Sequence, residues 1–195
     1  MIAENIKKRK KICYNFGGGP KRIEGFINID ALSWNGITDI IWDLTNTPYT
    51  FVTEPVDEIM AIEFLEHISF RDTWKVLKEW YRILRVGGKL VIQVPDCGKM
   101  MEYYVNGLVC DCVPHKVQKR GDFKADPNCW ECRGKAKVNP KRWLYSFTGA
   151  QKHFPHDLHK NIFTKEILRE AIESVGFKKV EFKENVNKLV VVAFK

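Results

Sequence analysis

Asn15-Phe16-Gly17-Gly18-Gly19-Pro20-Lys21-Arg22-Ile23-Glu24-Gly25-Phe26-Ile27-Asn28-Ile29-Asp30 is the stretch from which the rest of the chain is read. A short apolar run, Ile12-Cys13-Tyr14, leads into it, and a second, Phe26 to Ile29, ends on an acid. The three glycines have no Cβ, so the backbone can turn sharply and come close to a ligand. A carboxylate at the tip of the next strand can accept hydrogen bonds from both hydroxyls of a ribose. Strand, glycine turn, strand and acid together make a nucleoside-binding corner. The dinucleotide fingerprint G-x-G-x-x-G fits Gly17 and Gly19 but meets Arg22 where its third glycine should stand. Ten residues separate Gly19 from Asp30, and a full crossover helix needs about ten of its own. The first helix must therefore be shortened, and pyrophosphate binding at its N-terminus loses support. Such a corner suits S-adenosylmethionine better than NAD.

The length of 195 residues fits one domain carrying an insertion, and 45% hydrophobic content supplies a packed core. No apolar stretch is long enough for a signal peptide or a membrane span, so the expected setting is cytoplasmic, with no membrane partner. Six cysteines in such a chain point to free thiols or metal ligands rather than to disulfides. The net charge of +8 is unevenly placed: residues 1–11 carry +4, residues 110–152 carry +6, and the rest carries −2. Basic segments attract anionic partners, although a solubilising surface has the same composition.

Apolar periodicity divides the chain further. Ile37 to Trp42, closed by Asp43, reads as a third strand, and Glu58 to Phe64 contains a fourth. Trp74, Leu77, Trp80, Tyr81 and Leu84 recur at helical spacing over Asp72 to Leu84, with Gly87-Gly88 as the stop. Lys89 to Val94 is a fifth strand, and Asp96 can cap a short helix running to Gly107. Thr164 can cap a last helix whose apolar face is Ile167, Leu168, Ala171, Ile172 and Val175, closed by Gly176. Phe177–Lys183 and Lys188–Phe194 read as an antiparallel C-terminal hairpin. The expected fold is α/β: a mostly parallel seven-stranded sheet with helices on both faces and a small Cys-rich insertion. Residues 1–11 form a basic tail and residues 12–195 the domain. Gly17–Gly19, Asp30, Asp43, Glu63 and Asp96 all fall at predicted strand ends, where ligands bind in such sheets.

Several of these elements resemble, in order and spacing, the type 11-like branch of the class I S-adenosylmethionine-dependent methyltransferases. The matching pieces are Gly17-Gly18-Gly19-Pro20, Gly25-Phe26-Ile27-Asn28-Ile29-Asp30, Asp43-Leu44, Leu65-Glu66-His67-Ile68 and Leu84-Arg85-Val86-Gly87-Gly88-Lys89-Leu90. Val94-Pro95-Asp96, Gly149-Ala150-Gln151 and His159-Lys160 continue the series. The likeness covers residues 12–107 and 143–182 and implies a Rossmann-like fold with S-adenosylmethionine as cofactor. It implies that the backbone of Phe16, Gly17, Gly18 and Gly19 cradles the methionine portion and that Asp30 holds the ribose hydroxyls. Asp43 would take the adenine amino group, Leu44 would lie against the ring, and Glu63 or the backbone beside it would face the methionine ammonium. Asp43 could instead cap the following turn, and Glu63 could be a surface charge.

Methyl transfer from a sulfonium needs alignment, desolvation and, for a hydroxyl acceptor, a general base. Candidate bases are His67 and the group His153, His156 and His159. The resemblance selects His159 for acceptor-side chemistry, while His67 stands in a motif shared across acceptor types and has a structural role as its alternative. Members of the resembling family accompany carbohydrate-modifying enzymes, which implies a sugar or small-molecule hydroxyl as acceptor. The basic insertion favours a nucleic acid or a nucleotide-linked substrate instead. A non-enzymatic nucleic-acid-binding module with a vestigial cofactor corner is the reading from another class, and the intact Gly17, Gly19, Asp30 and Asp43 oppose it.

Within residues 109–142, Cys110-Asp-Cys112 and Cys129-Trp-Glu-Cys132 are two close pairs separated by sixteen residues. That spacing presents four thiolates to one tetrahedral structural zinc ion. His115 could replace one ligand, and unligated thiols or an iron–sulfur cluster are the other readings. Cys13 and Cys97 stand apart and read as buried hydrophobes.

Overall fold

A computed structural model of the chain describes residues 10–106, 127–129, 147–149, 155–183, 185 and 188–195. Seven strands form one sheet: β1 (Cys13–Phe16), β2 (Ile27–Asp30), β3 (Ile40–Ile41), β4 (Val56–Ile62), β5 (Leu84–Pro95), β6 (Lys178–Lys183) and β7 (Lys188–Phe194). Their order is β3-β2-β1-β4-β5-β7-β6, with β1 to β5 parallel and β7 antiparallel between β5 and β6. The helices include α1 (Phe70–Ile83), α2 (Cys97–Asn106) and α3 (Lys165–Ser174), and a 3-10 turn spans Leu65–His67. The order reverses where β1 lies between β2 and β4, which opens a crevice at the carboxyl ends of those strands. This is the mostly parallel Rossmann-like sheet with an antiparallel hairpin that the alternation of strand and helix predicts.

Burial follows the pattern. All four residues of β1 are buried, as a central parallel strand requires. On α1, Thr73, Val76, Leu77, Trp80 and Ile83 are buried at three- and four-residue spacing. Trp80 packs on Phe16, ring centroids 5.5 Å apart, and donates its indole N–H to the Tyr49 hydroxyl at 3.1 Å. Trp74, expected on the same face, is half-exposed, with the Lys78 ammonium 4.7 Å above its ring. Cys13 and Cys97 are buried as expected, and burial pushes both thiols up.

Three local expectations are corrected. The first crossover is not a shortened helix: between β1 and β2 the chain makes only turns. Arg22, standing where the fingerprint glycine would be, ties this loop down by donating to the Gly36 and Ile37 carbonyls and to Asp39. The third strand has two residues rather than six, because the chain before Ile40 curls on itself. There Ile37 N–H donates to Trp34 and the Thr38 hydroxyl donates to Leu32. Gly87-Gly88 do not stop α1, which ends at Ile83 when Leu84 turns extended and pairs with Val56. The two glycines instead join the last residue, Gly87 donating to Lys195 O and Lys195 donating to Gly88 O. A Cβ on Gly88 would stand 2.8 Å from the Arg85 carbonyl oxygen, so this close passage needs glycine. Both predicted caps are present: Asp96 accepts from Lys99 N–H at 2.9 Å, and Thr164 accepts from Ile167 N–H.

The cysteine module falls outside the described residues except for 127–129, and most of the basic tail, residues 1–9, falls outside as well. Among the described residues no helix is long and apolar enough to cross a membrane.

Candidate active site

Loops at the carboxyl ends of the sheet enclose a cavity of about 610 Å³, within the size range of small-molecule sites. Gly17, Gly19, Asp30, Asp43, Leu44 and Glu63 line it from the strand ends, and His67 lines it from the 3-10 turn. Four of the five predicted strand-end loops thus meet at one place. The fifth does not: Asp96 is spent capping α2 and is absent from the wall.

The glycine corner is shaped by close packing. Gly17 adopts φ of 65° and donates its N–H to Ile29 O at 2.8 Å, which binds the corner to β2. A Cβ there would lie 2.0 Å from the Phe64 ring. Gly18 faces the buried Asn15–Asn28 pair, whose side chains are hydrogen-bonded at 2.8 Å, and it does not line the cavity. Gly19, with φ of 55°, has open space where a Cβ would be. Phe16 is fully buried in the aromatic core with Tyr14, Tyr49 and Trp80, so its ring is a foundation and not a wall.

The acids differ in how they are held. Asp30 accepts from Gly19 N–H and Leu32 N–H, both at 2.9 Å, which fixes its carboxylate at the cavity rim. Asp43 accepts from the N–H and hydroxyl of Thr45, at 2.9 and 2.7 Å. It therefore caps the following turn and also lines the cavity. Leu44 is buried beneath it, and its carbonyl takes the Tyr49 hydroxyl. Glu63 has φ of 53°, rare for a side-chain-bearing residue, and its carboxylate is engaged by Lys188 and by the Gln93 amide. A ligand ammonium would have to share that carboxylate with Lys188.

Pro155, His156, Asp157 and Lys160 line the cavity on the side of His67. His67 Nδ1 lies 3.2 Å from the Leu158 carbonyl, and its ring meets that of His159 edge-on with centroids 4.8 Å apart. Burial, with His159 second, holds the His67 imidazole below its ordinary range. Glu66, between them, is 1% exposed, and burial together with Glu63 pushes its carboxyl up to about 8. Its backbone carbonyl accepts from Lys160 and Asn161 N–H, which draws the 155–161 segment onto the strand-four loop. Glu66 was not singled out from the sequence, although it directly precedes His67 in the quoted Leu-Glu-His-Ile run. Trp34, Trp42 and Phe64, which also line the cavity, carried no sequence signal beyond being aromatic. Of the cysteines predicted to hold zinc, Cys110, Cys112 and Cys132 lie outside the described residues, as does His153, while Cys129 is partly exposed.

A family model described as a methyltransferase domain matches residues 33–92. Among solved structures the chain is similar to a SAM-dependent methyltransferase from Archaeoglobus fulgidus, at 12% identity and TM-score 0.56, covering 96% of this chain and 87% of that one. It is similar to one from Methanosarcina mazei, at 15% identity and TM-score 0.54, covering 96% and 93%. An O-methyltransferase family protein from Burkholderia thailandensis matches at 12% identity and TM-score 0.52, covering 96% of this chain and 51% of its own. The chain thus spans about half the length of that last relative. No curated protein sequence matches. With a methyltransferase-domain match over residues 33–92, the 3-2-1-4-5-7-6 sheet and a glycine corner facing Asp30, the chain has the fold of the S-adenosylmethionine-dependent methyltransferases to which it is similar.

Proposed function

We propose that the cavity binds S-adenosylmethionine and delivers its methyl group to a hydroxyl of a sugar or another small molecule. The observation that carries this reading is the meeting of Gly17, Gly19, Asp30, Asp43, Leu44 and Glu63 around one cavity of about 610 Å³. The residues fit the cofactor: Gly19 leaves open space where any other residue would place a Cβ, and Asp30 is held at the rim with acceptor capacity to spare for two hydroxyls. When bound, the cofactor supplies a methyl group on a sulfonium, open to in-line attack by a lone pair. Asp43 keeps acceptor capacity for an amino group, and Leu44 supplies an apolar floor. Pro155, His156, Asp157 and Lys160 cover part of the acceptor side, where water displaced by a bound acceptor would strengthen the polar interactions inside. His67 lines the cavity on that side with the His159 ring against it, so His67 can take or position a proton from an acceptor hydroxyl and His159 can orient it.

Calorimetry tests the cofactor half. S-adenosylmethionine should bind the wild-type protein, and Asp30→Ala should weaken binding by at least tenfold; equal affinity in the variant would remove Asp30 from the site. Methyl transfer is tested by incubating radiolabelled donor with fractionated extract, and label in a saccharide or small-molecule fraction is the expected result.

A nucleic-acid acceptor is favoured by one feature. On α1, beside cavity-lining Ser69 and Asp72, Phe70 and Trp74 are exposed with Arg71 and Lys78 over their rings, a surface on which bases can stack. Label in the nucleic-acid fraction would select this reading. The cysteine pairs are proposed, from their spacing alone, to hold one structural zinc. Elemental analysis should then find zinc that is lost on replacing Cys110 and Cys112 with serine.

A further inference from the structure

Glu66 is a buried carboxylate beside the acceptor wall, and neither of its oxygens has a hydrogen-bond partner among the described residues. A native protein seldom leaves such a group unanswered unless something else is meant to meet it. Glu63, three residues earlier, does not compete for the same role, since Lys188 and Gln93 hold its carboxylate. Two imidazoles face Glu66. His159 Nε2 lies 3.9 Å from Glu66 Oε1, too far for a hydrogen bond, and the His67 ring stands edge-on to His159 at 74°. One ligand atom from each of Glu66, His67 and His159 lies within 4.8 Å of the other two. Atoms bound at about 2.0–2.2 Å to a common ion stand about 3–4 Å apart, so a small contraction would bring all three to one centre.

The orientation of His67 agrees with this. A carbonyl oxygen only accepts, so the contact with Leu158 O places the ring proton on Nδ1 and leaves the lone pair on Nε2. Metal-bound histidines are commonly oriented by a second hydrogen bond of this kind.

We propose that Glu66, His67 and His159 bind one divalent first-row cation at the acceptor wall of the cavity. Two imidazoles and one carboxylate suit manganese, iron or zinc, and three protein ligands leave coordination positions open. His67 lines the cavity while Glu66 lies behind it, so the open positions face the space left for the acceptor. There the cation would take an oxygen donor of the acceptor, hold it in place and ease loss of its proton. This role, though not the cation site itself, rests on the hydroxyl-acceptor reading above.

The test uses the full chain, stripped of metal with chelator and titrated with manganese(II) chloride, with free Mn²⁺ followed by its electron paramagnetic resonance signal. Mn²⁺ is chosen because the thiolates of the cysteine pairs compete poorly for it. One site is expected, weakened at least tenfold in both Glu66→Gln and His159→Gln. Calorimetric binding of S-adenosylmethionine to the same samples reports whether the pocket is folded; if Glu66→Gln does not fold, His159→Gln decides. Absence of Mn²⁺ binding by the wild-type protein overturns the inference, and so does binding unchanged in the variants. Either result in a protein that still binds S-adenosylmethionine leaves the proposed function standing. Mn²⁺ binding that fails in the variants, in a protein that does not take the cofactor, removes the proposed function and keeps the cation site.

Discussion

Glu79 shows how one side chain can hold a loop that forms part of the cavity floor. Its carboxylate accepts from Tyr49 N–H at 2.6 Å and takes both arms of the Arg82 guanidinium at 2.7 Å. Tyr49 in turn supports Leu44 and Trp80 through its hydroxyl. The Arg82 guanidinium holds the Glu79 carboxyl below the ordinary 4.5, against the opposing effect of burial. Arg82 is more than half exposed, so most of the value lies in the backbone bond and little in the ion pair. Glu79→Gln should cost about 1–2 kcal/mol at neutral pH, measured by urea denaturation. A carboxylate with a lowered folded pKa adds stability that is present above 4.5 and is lost as pH falls through the folded value. The gap between wild type and Glu79→Gln should therefore close on acidification, and a gap independent of pH would assign the effect to packing. None of these partnerships was legible in the sequence, because Tyr49 and Glu79 are thirty residues apart.

At the scale of elements, periodicity and caps located the helices to within a few residues, since both are local properties. Thr164 shows the rule: its hydroxyl accepts from Ile167 N–H, and Leu168 and Ile172 then point into the core. Thr164→Ala should lower stability by about 1 kcal/mol by thermal or chemical unfolding, while Thr164→Ser should be close to neutral. Where local signals misled, a distant partner had taken the residues. Gly87 and Gly88 resemble a helix stop but pair with Lys195 at the other end of the chain. Ile37 to Trp42 has strand composition, yet only Ile40 and Ile41 find a neighbour to pair with, on β2. The loop that replaces the first helix was expected to be short from its length, but its anchorage by Arg22 to Gly36, Ile37 and Asp39 was not.

For the whole molecule, the cavity is assembled from segments that span Gly17 to Lys160 in the chain. A ligand that bridges them should stabilise the fold as a unit. With S-adenosylmethionine at a hundred times its dissociation constant, the gain should be about 2.7 kcal/mol, a rise in Tm of roughly 5–10 °C for a chain of this size. Differential scanning fluorimetry measures it directly. A shift retained in full by Asp30→Ala would locate the binding elsewhere. The cavity-lining residues Trp34, Trp42 and Phe64 become neighbours of Asp30 only because β2, β3 and β4 end on the same side of the sheet.

The linear order of residues determined the class of fold and the glycine corner proposed to hold the cofactor. Alternation, glycine turns and terminal acids act over a few residues, and parallel strands must then send their carboxyl ends to one edge. Tertiary structure alone decided which acids remain available and which are occupied. It placed Phe16 in the core, gave Asp43 to Thr45, gave Glu63 to Lys188, and withdrew Asp96 to cap α2. It also brought Glu66 and His67 to within reach of His159, more than ninety residues away. Burial and long-range pairing are properties of the packed chain, and no spacing rule carries them.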